Sequence, residues 1–210
     1  MERPDFVHLH LHSEYSLSDG IIRIKELVSR ASSLQYSAVG LTDLTNLFGL
    51  LEFYRSTREK GIKPIVGAEV NVIKDKDSLP APIVLLVKDK QGYINLTKIV
   101  SKAYVDGQVN GEPMVELSLL QNYSEGLIAL SGGMEGHVGQ SILAGNIPLT
   151  ESRIKFFKSL FGEDFFIEVH RLGKTNEEEY NNAAIEISTK MDVPIVATNN
   201  VRFLMPLDPE

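Results

Sequence analysis

Short β-rich runs alternate with helix-like segments along almost the whole chain, and this alternation limits the available folds more than any other feature. Strand, helix, strand is the pattern of βα units, whose helical crossovers lay successive strands parallel. Strands are expected at residues 6–12, 38–42, 64–70, 83–87, 126–130, 165–170 and 193–197. Helices are expected at residues 24–35, 47–60, 91–104, 152–160 and 176–191. In the first of these, Ile24, Leu27, Val28, Ala31 and Leu34 recur on one helical face. Gly61 is a stop signal for the second helix, and Asn176 before three glutamates is a start signal for the last.

An open doubly wound sheet and a closed barrel both satisfy this pattern. Polar residues at the strand ends favour the barrel. His10 and His12 end the first strand, Asp43 the second and Glu69 the third. Ser131, His170 and the pair Asn199–Asn200 end later strands. Barrels of the (β/α) kind gather their sites at the carboxyl ends of the strands, whereas an open sheet spreads them along an edge. The expected fold is therefore α/β, a barrel of about seven strands. After Arg202 only residues 203–210 remain, with no covering helix for the last strand, so residues 1–210 are expected to form a single domain excised from a longer protein.

The histidine run Phe6-Val7-His8-Leu9-His10-Leu11-His12 carries the strongest chemical signal. Alternation in a strand sends Val7, Leu9 and Leu11 to one face and the three histidines to the other. Histidines two positions apart lie about 6.5–7 Å from each other, close enough to hold one ion. Asp19-Gly20 reads as a turn that also offers a carboxylate. Asp43 closes an apolar strand, where a carboxylate serves as ligand or as the group that orients one. Glu69 sits at the same level. Ser131-Gly132-Gly133 reads as a turn able to present backbone N–H groups to an anion.

Composition excludes several functions. There is no cysteine, so neither disulfides nor thiolate ligands contribute, and a cytoplasmic location fits that absence. No apolar run is long enough to span a bilayer, and residues 1–5 do not show a signal-peptide pattern. The net charge is −7 and the pI near 5.3. Such a balance suits protein partners better than a DNA groove, which needs a basic surface.

The run from His10 to Gly20 resembles the opening of bacterial replicative polymerase alpha subunits, as do the strings at residues 42–49 and 61–69. Further similar strings lie at 92–96, 125–132 and 196–199, so the likeness runs in order through the chain. The resemblance is to the N-terminal PHP (polymerase and histidinol phosphatase-like) domain of DNA polymerase III alpha subunits. It implies a distorted (β/α)7 TIM-like barrel at the head of a much longer chain. It also implies DNA-directed DNA polymerase activity, with magnesium bound by carboxylates outside this segment, and DNA held by other domains. The partners implied are the remainder of the alpha chain and a separate proofreading exonuclease subunit.

Intact members of the family hold several metal ions and some hydrolyse phosphoesters. Carried over residue by residue, His10 and His12 match the first motif. Asp19 matches the loop aspartate, Asp43 the second motif and Glu69 the bridging glutamate. The pattern then breaks. Histidines of intact members are replaced by Leu44 and Pro82, a cysteine or histidine by Gly133, and a closing Asp-x-His by Asn200-Val201-Arg202. Leucine, proline and glycine side chains offer no lone pair. Arginine is always protonated and has no acceptor, so Arg202 repels a metal.

Arg202 is expected to pair instead with Asp19 or Glu69 and to stand in for a lost ion. At most one ion of zinc, manganese or magnesium is expected, held weakly by His10, His12 and Glu69, with Asp19 and Asp43 vestigial. No catalytic residue is expected in the segment. The expected function is a structural module that docks the exonuclease. The alternative is an active metal-dependent phosphoesterase, either a 3′–5′ exonuclease or a pyrophosphatase.

Overall fold

The computed structural model describes residues 6–74 and 79–204, so most of the tail at 203–210 lies outside the described residues. Two compact units divide the chain, residues 1–69 with 199–210 and residues 70–198. Both mix helix and strand, giving the α/β class expected.

In the first unit the order is α1 (Ile24–Ser33), β1 (Ala38–Leu41), α2 (Leu50–Glu59) and β2 (Lys63–Ile73), the last continuing into the second unit. The apolar stripe of α1 is buried at Ile24, Leu27, Val28 and Ala31, as its periodicity requires. It packs with Leu11, Ile22, Val39, Leu41, Phe53 and Ile62 into one core cluster. Each such side chain contributes about 1.5–3 kcal/mol when fully buried. Helix α2 stops where expected: Gly61 takes a φ of +70° and its N–H donates to the Arg58 carbonyl. Strands β1 and β2 pair in parallel, from Ala38 against Lys63 to Leu41 against Val66.

Residues 6–12 depart from the expected regular strand. They run beside β1 and residue 201 but form only one bridge, Leu11 with Val201. Their backbone is held by scattered bonds, among them Gly40 N–H to His8 O (2.7 Å), Thr42 N–H to Leu11 O (2.9 Å) and Val201 N–H to His10 O (2.9 Å). The Thr42 hydroxyl interrupts the ladder, accepting from Leu11 N (2.9 Å) and lying 3.1 Å from Leu11 O. A side chain thus does part of the work that backbone groups do in a strand.

The second unit takes the end of β2, then β3 (Ala81–Val87), α3 (Lys90–Val105), β4 (Gln108–Val109), β5 (Glu112–Pro113), β6 (Val115–Glu116) and α4 (Leu117–Tyr123). It continues through β7 (Leu127–Leu130), α5 (His137–Leu143), α6 (Ile147–Phe161), β8 (Phe165–Val169), α7 (Glu177–Met191) and β9 (Ile195–Ala197). Strand order is β2-β3-β7-β8-β9, with β6 beside β2. The sheet is not purely parallel: β3 and β7 are antiparallel, whereas β7–β8 and β8–β9 are parallel. Residues 74–80, between β2 and β3, are too few for a crossover helix, which takes a dozen residues or more. Helix α6 starts earlier than expected because Asn146 caps it, accepting from Leu149 N–H at 3.1 Å, and Pro148 suits the first turn. The short strands β4–β6 and helices α4 and α5 carried no periodic signal long enough to read.

Candidate metal centre

The bridge between Leu11 and Val201 sets the local geometry in the first unit. Leu11 is in the core cluster and Val201 packs against it. The alternate positions His10, His12, Asn200 and Arg202 therefore face away from that core. His8 departs from the expected face with three histidines. Its Nε2 lies 3.2 Å from the Tyr36 hydroxyl and its ring stacks edge-on to Phe6.

His10, His12 and Glu69 come together as the sequence suggested. One ligand atom from each falls within 4.8 Å of the others, and all three residues are buried. His10 Nε2 is 2.6 Å from Glu69 Oε2, and His12 Nε2 is 3.6 Å from the same oxygen. Burial alone would raise the Glu69 pKa. Hydrogen bonds and positive charge from His10 and His12 outweigh it and hold the carboxyl at about 2. Burial also lowers His12, helped by Arg202 and His10 and opposed by Glu69.

Arg202 pairs with the Asp19 carboxylate, donates to the Asp19 carbonyl at 2.9 Å and reaches His12 Nδ1 at 3.1 Å. Asp19 Oδ2 is also 3.1 Å from His12 Nδ1. An arginine has no acceptor, so in the tautomer whose Nδ1 accepts from Arg202, neutral His12 carries its proton on Nε2. That nitrogen faces Glu69, the direction in which a metal would need a free lone pair. Asn200 has a φ of +42°, and its Oδ1 is buried without a hydrogen-bond partner.

Asp43 is 1% exposed and makes a different set of contacts. Its carboxylate accepts from Ser13 N–H (2.6 Å), Ser13 Oγ (2.8 Å to Oδ2) and Ser16 Oγ (2.7 Å). It anchors the loop that carries Asp19. Ser13 and Ser16 were missed by sequence reasoning; their signal was two small hydroxyl residues opposite a carboxylate in an apolar strand.

The second unit holds another carboxylate that the sequence reading passed over. Glu168 is fully buried, accepts from Thr198 Oγ1 (2.5 Å) and Gly132 N–H (3.1 Å), and lies 3.3 Å from His170 Nε2. Its signal was a charge inside the apolar run Phe165-Phe166-Ile167-Glu168-Val169. The Gly132 N–H, read as available to an outside anion, is thus taken by an internal one. Gly133 has a φ of +61°, and a Cβ there would meet His170 Cε1 at 2.6 Å.

The donor set of His10, His12 and Glu69 fits one ion. His10, His12 and Glu69 supply three ligands, enough for zinc with water. Leu44, Pro82 and Gly133 supply none.

A model of the PHP domain matches residues 8–172, and the chain belongs to that family. Solved structures agree on the fold. A Bifidobacterium adolescentis protein assigned as a metal-dependent phosphoesterase aligns with a TM-score of 0.62 at 14% identity, over 96% of this chain and 90% of its own. An amidohydrolase from Chromobacterium violaceum gives 0.59 at 17% identity, over 97% and 92%.

The curated relatives are narrower in kind. DNA polymerase III subunit alpha of Vibrio cholerae is 39% identical over 206 residues, and that of Escherichia coli 43% over the same length. Each alignment covers 97% of this chain and 18% of the relative, so the chain spans under a fifth of the proteins it matches.

Proposed function

We propose that this chain is the PHP module of a replicative DNA polymerase III alpha subunit and that it acts as a structural and docking element rather than as a hydrolase. The polymerase assignment rests on the 39–43% identity across 97% of the chain. The longer protein would be a DNA-directed DNA polymerase of the cytoplasm, with its magnesium ligands and DNA contacts in other domains. None of the described helices is long and apolar enough to cross a membrane.

The observation that carries the structural reading is the place of Arg202, whose guanidinium pairs with Asp19 and reaches His12. A protein cation there offsets the Asp19 charge that a dication offsets in intact members. His10, His12 and Glu69 are the residues that would hold a residual ion, and Asp19, Asp43, Asn200 and Arg202 are remnants put to other use.

Metal analysis of the purified chain tests this, together with phosphodiester hydrolysis in added zinc or manganese. Far less than one metal per chain and no turnover are expected. Near-stoichiometric metal with turnover abolished in His12→Ala would overturn the reading. So would an Arg202→His variant that folds equally well without metal, because the arginine would then have no bracing role. The docking role is tested by pull-down of the proofreading exonuclease on the full-length polymerase.

A second reading, a metal-dependent phosphoesterase, is favoured by the convergence of His10, His12 and Glu69. A bound ion would polarise a phosphoryl oxygen and supply hydroxide. Glu69 and His10 would orient it, while Arg202 would steady the phosphate.

A further inference from the structure

The first unit carries an apolar surface that nothing in the candidate centre uses. Phe48, Leu51 and Tyr54 are 68%, 60% and 49% exposed, on α2 and the turn before it. Helical spacing sets Leu51, Arg55 and Arg58 on the side of α2 opposite the buried Phe53 and Thr57. Arg55 and Arg58 are exposed and make no ion pair among the described residues.

A second segment is fastened beside this helix. Asn46 Nδ2 donates to Tyr15 O at 2.8 Å and Leu44 N–H to Ser16 Oγ at 3.0 Å. Gly49 lies so close to the Tyr15 ring that a Cβ there would meet Cδ2 at 2.9 Å. The loop fixed in this way holds Leu17 with 82% of its surface in solvent and φ, ψ of 58°, −99°. A leucine strained toward the left-handed region and pointed at water has no role in the core.

We propose that this face receives an acidic amphipathic helix of another protein chain. Its apolar side chains would pack on Leu17, Phe48, Leu51 and Tyr54, with carboxylates opposite Arg55 and Arg58. Leu51 and the two arginines are separated by about 6–10 Å along the helix axis at 1.5 Å per residue. An antiparallel or parallel partner helix thus needs its acidic residues about one to two turns beyond its apolar ones. Two free cations in an otherwise unpaired apolar patch select acidic rather than basic partners. Nucleic acid fits less well: two of the four apolar residues are aliphatic and offer no stacking face, and the chain carries −7 overall. The inference rests on the reading of this domain as a docking module, and its test contains no exonuclease, so the two fail separately.

The experiment titrates the full 210-residue chain into a fluorescein-labelled synthetic helix with three leucines on one face followed by glutamates, read by anisotropy. Saturable binding is expected, weakened about 10-fold or more by Arg55→Glu with Arg58→Glu. A peptide with lysine in place of glutamate should recover binding to that double variant and lose it to the wild type, which a folding defect could not produce. No saturable binding of the acidic peptide to the wild type overturns the proposal. Equal binding to the double variant, or tighter binding of a labelled oligothymidylate than of the peptide, overturns it too.

Discussion

Removing the Arg202 side chain leaves the Asp19 carboxylate, the Asp19 carbonyl and His12 Nδ1 without their common donor. Arg202→Met is expected to cost about 1 kcal/mol, a modest sum because Asp19 is more than a third exposed and solvent screens the pair. Thermal unfolding should show a fall of about 2–4 °C. The same variant frees His12 Nδ1, so ¹⁵N spectra should show the ring proton moving from Nε2 toward Nδ1, where Asp19 can accept it. Acid sensitivity has a calculable sign. Glu69 is held at about 2 in the folded state, against about 4.3 in an unfolded chain. Unfolded chains bind the extra proton in that window, so this contribution is complete above it and is lost as pH falls toward 2. His12, lowered by burial, acts in the same direction below its ordinary value. Urea unfolding at a series of pH values should therefore be less steeply pH-dependent in Glu69→Gln than in wild type. The meeting of His10, His12 and Glu69 was legible from residue type and strand level. The Arg202 contact was legible only as a choice between Asp19 and Glu69, because the rotamer of a long side chain is set by its neighbours.

Two buried carboxylates tie elements together. Asp43 reaches both Ser13 and Ser16, and Asp43→Ala strands their donors in a buried site. A loss of about 3 kcal/mol is expected in equilibrium unfolding. Asp43→Asn should lose less, since one acceptor oxygen remains. Glu168 does the same for the ends of β7, β8 and β9 through Gly132 and Thr198, and Glu168→Gln should cost about 1–3 kcal/mol by the same measurement. At this scale the sequence was informative where the period was long. The face of α1 and the strands at 38–41 and 165–169 stand within a residue or two of expectation. The β3–β7 pairing was misread because strand direction depends on connection length, and a short connection between β2 and β3 leaves no periodic mark. The run at 6–12 has the right alternation, yet the Thr42 hydroxyl takes a place in its ladder, and a hydroxyl in a neighbouring strand is invisible to periodicity.

For the molecule as a whole, the charge of −7 predicts little attraction to phosphate backbones. Duplex DNA at physiological salt should bind this chain no more tightly than about 10⁻⁴ M, the weak end of non-specific binding, as fluorescence anisotropy would measure. The family was legible because its strings persist in order along the chain. The partner surfaces were not, because exposure of Leu17, Phe48 and Leu51 is a property of the packed structure and leaves no pattern in the residues themselves.

Gly133 and His170 bear on how such a domain could change over generations. Gly133 combines a left-handed φ with a space already filled by the His170 ring. A side chain placed at 133 would meet both obstacles at once. Positions 133 and 170 are therefore coupled: a larger residue at 133 is admitted only after the ring at 170 has given way, so the order in which mutations arrive decides which of them are tolerated.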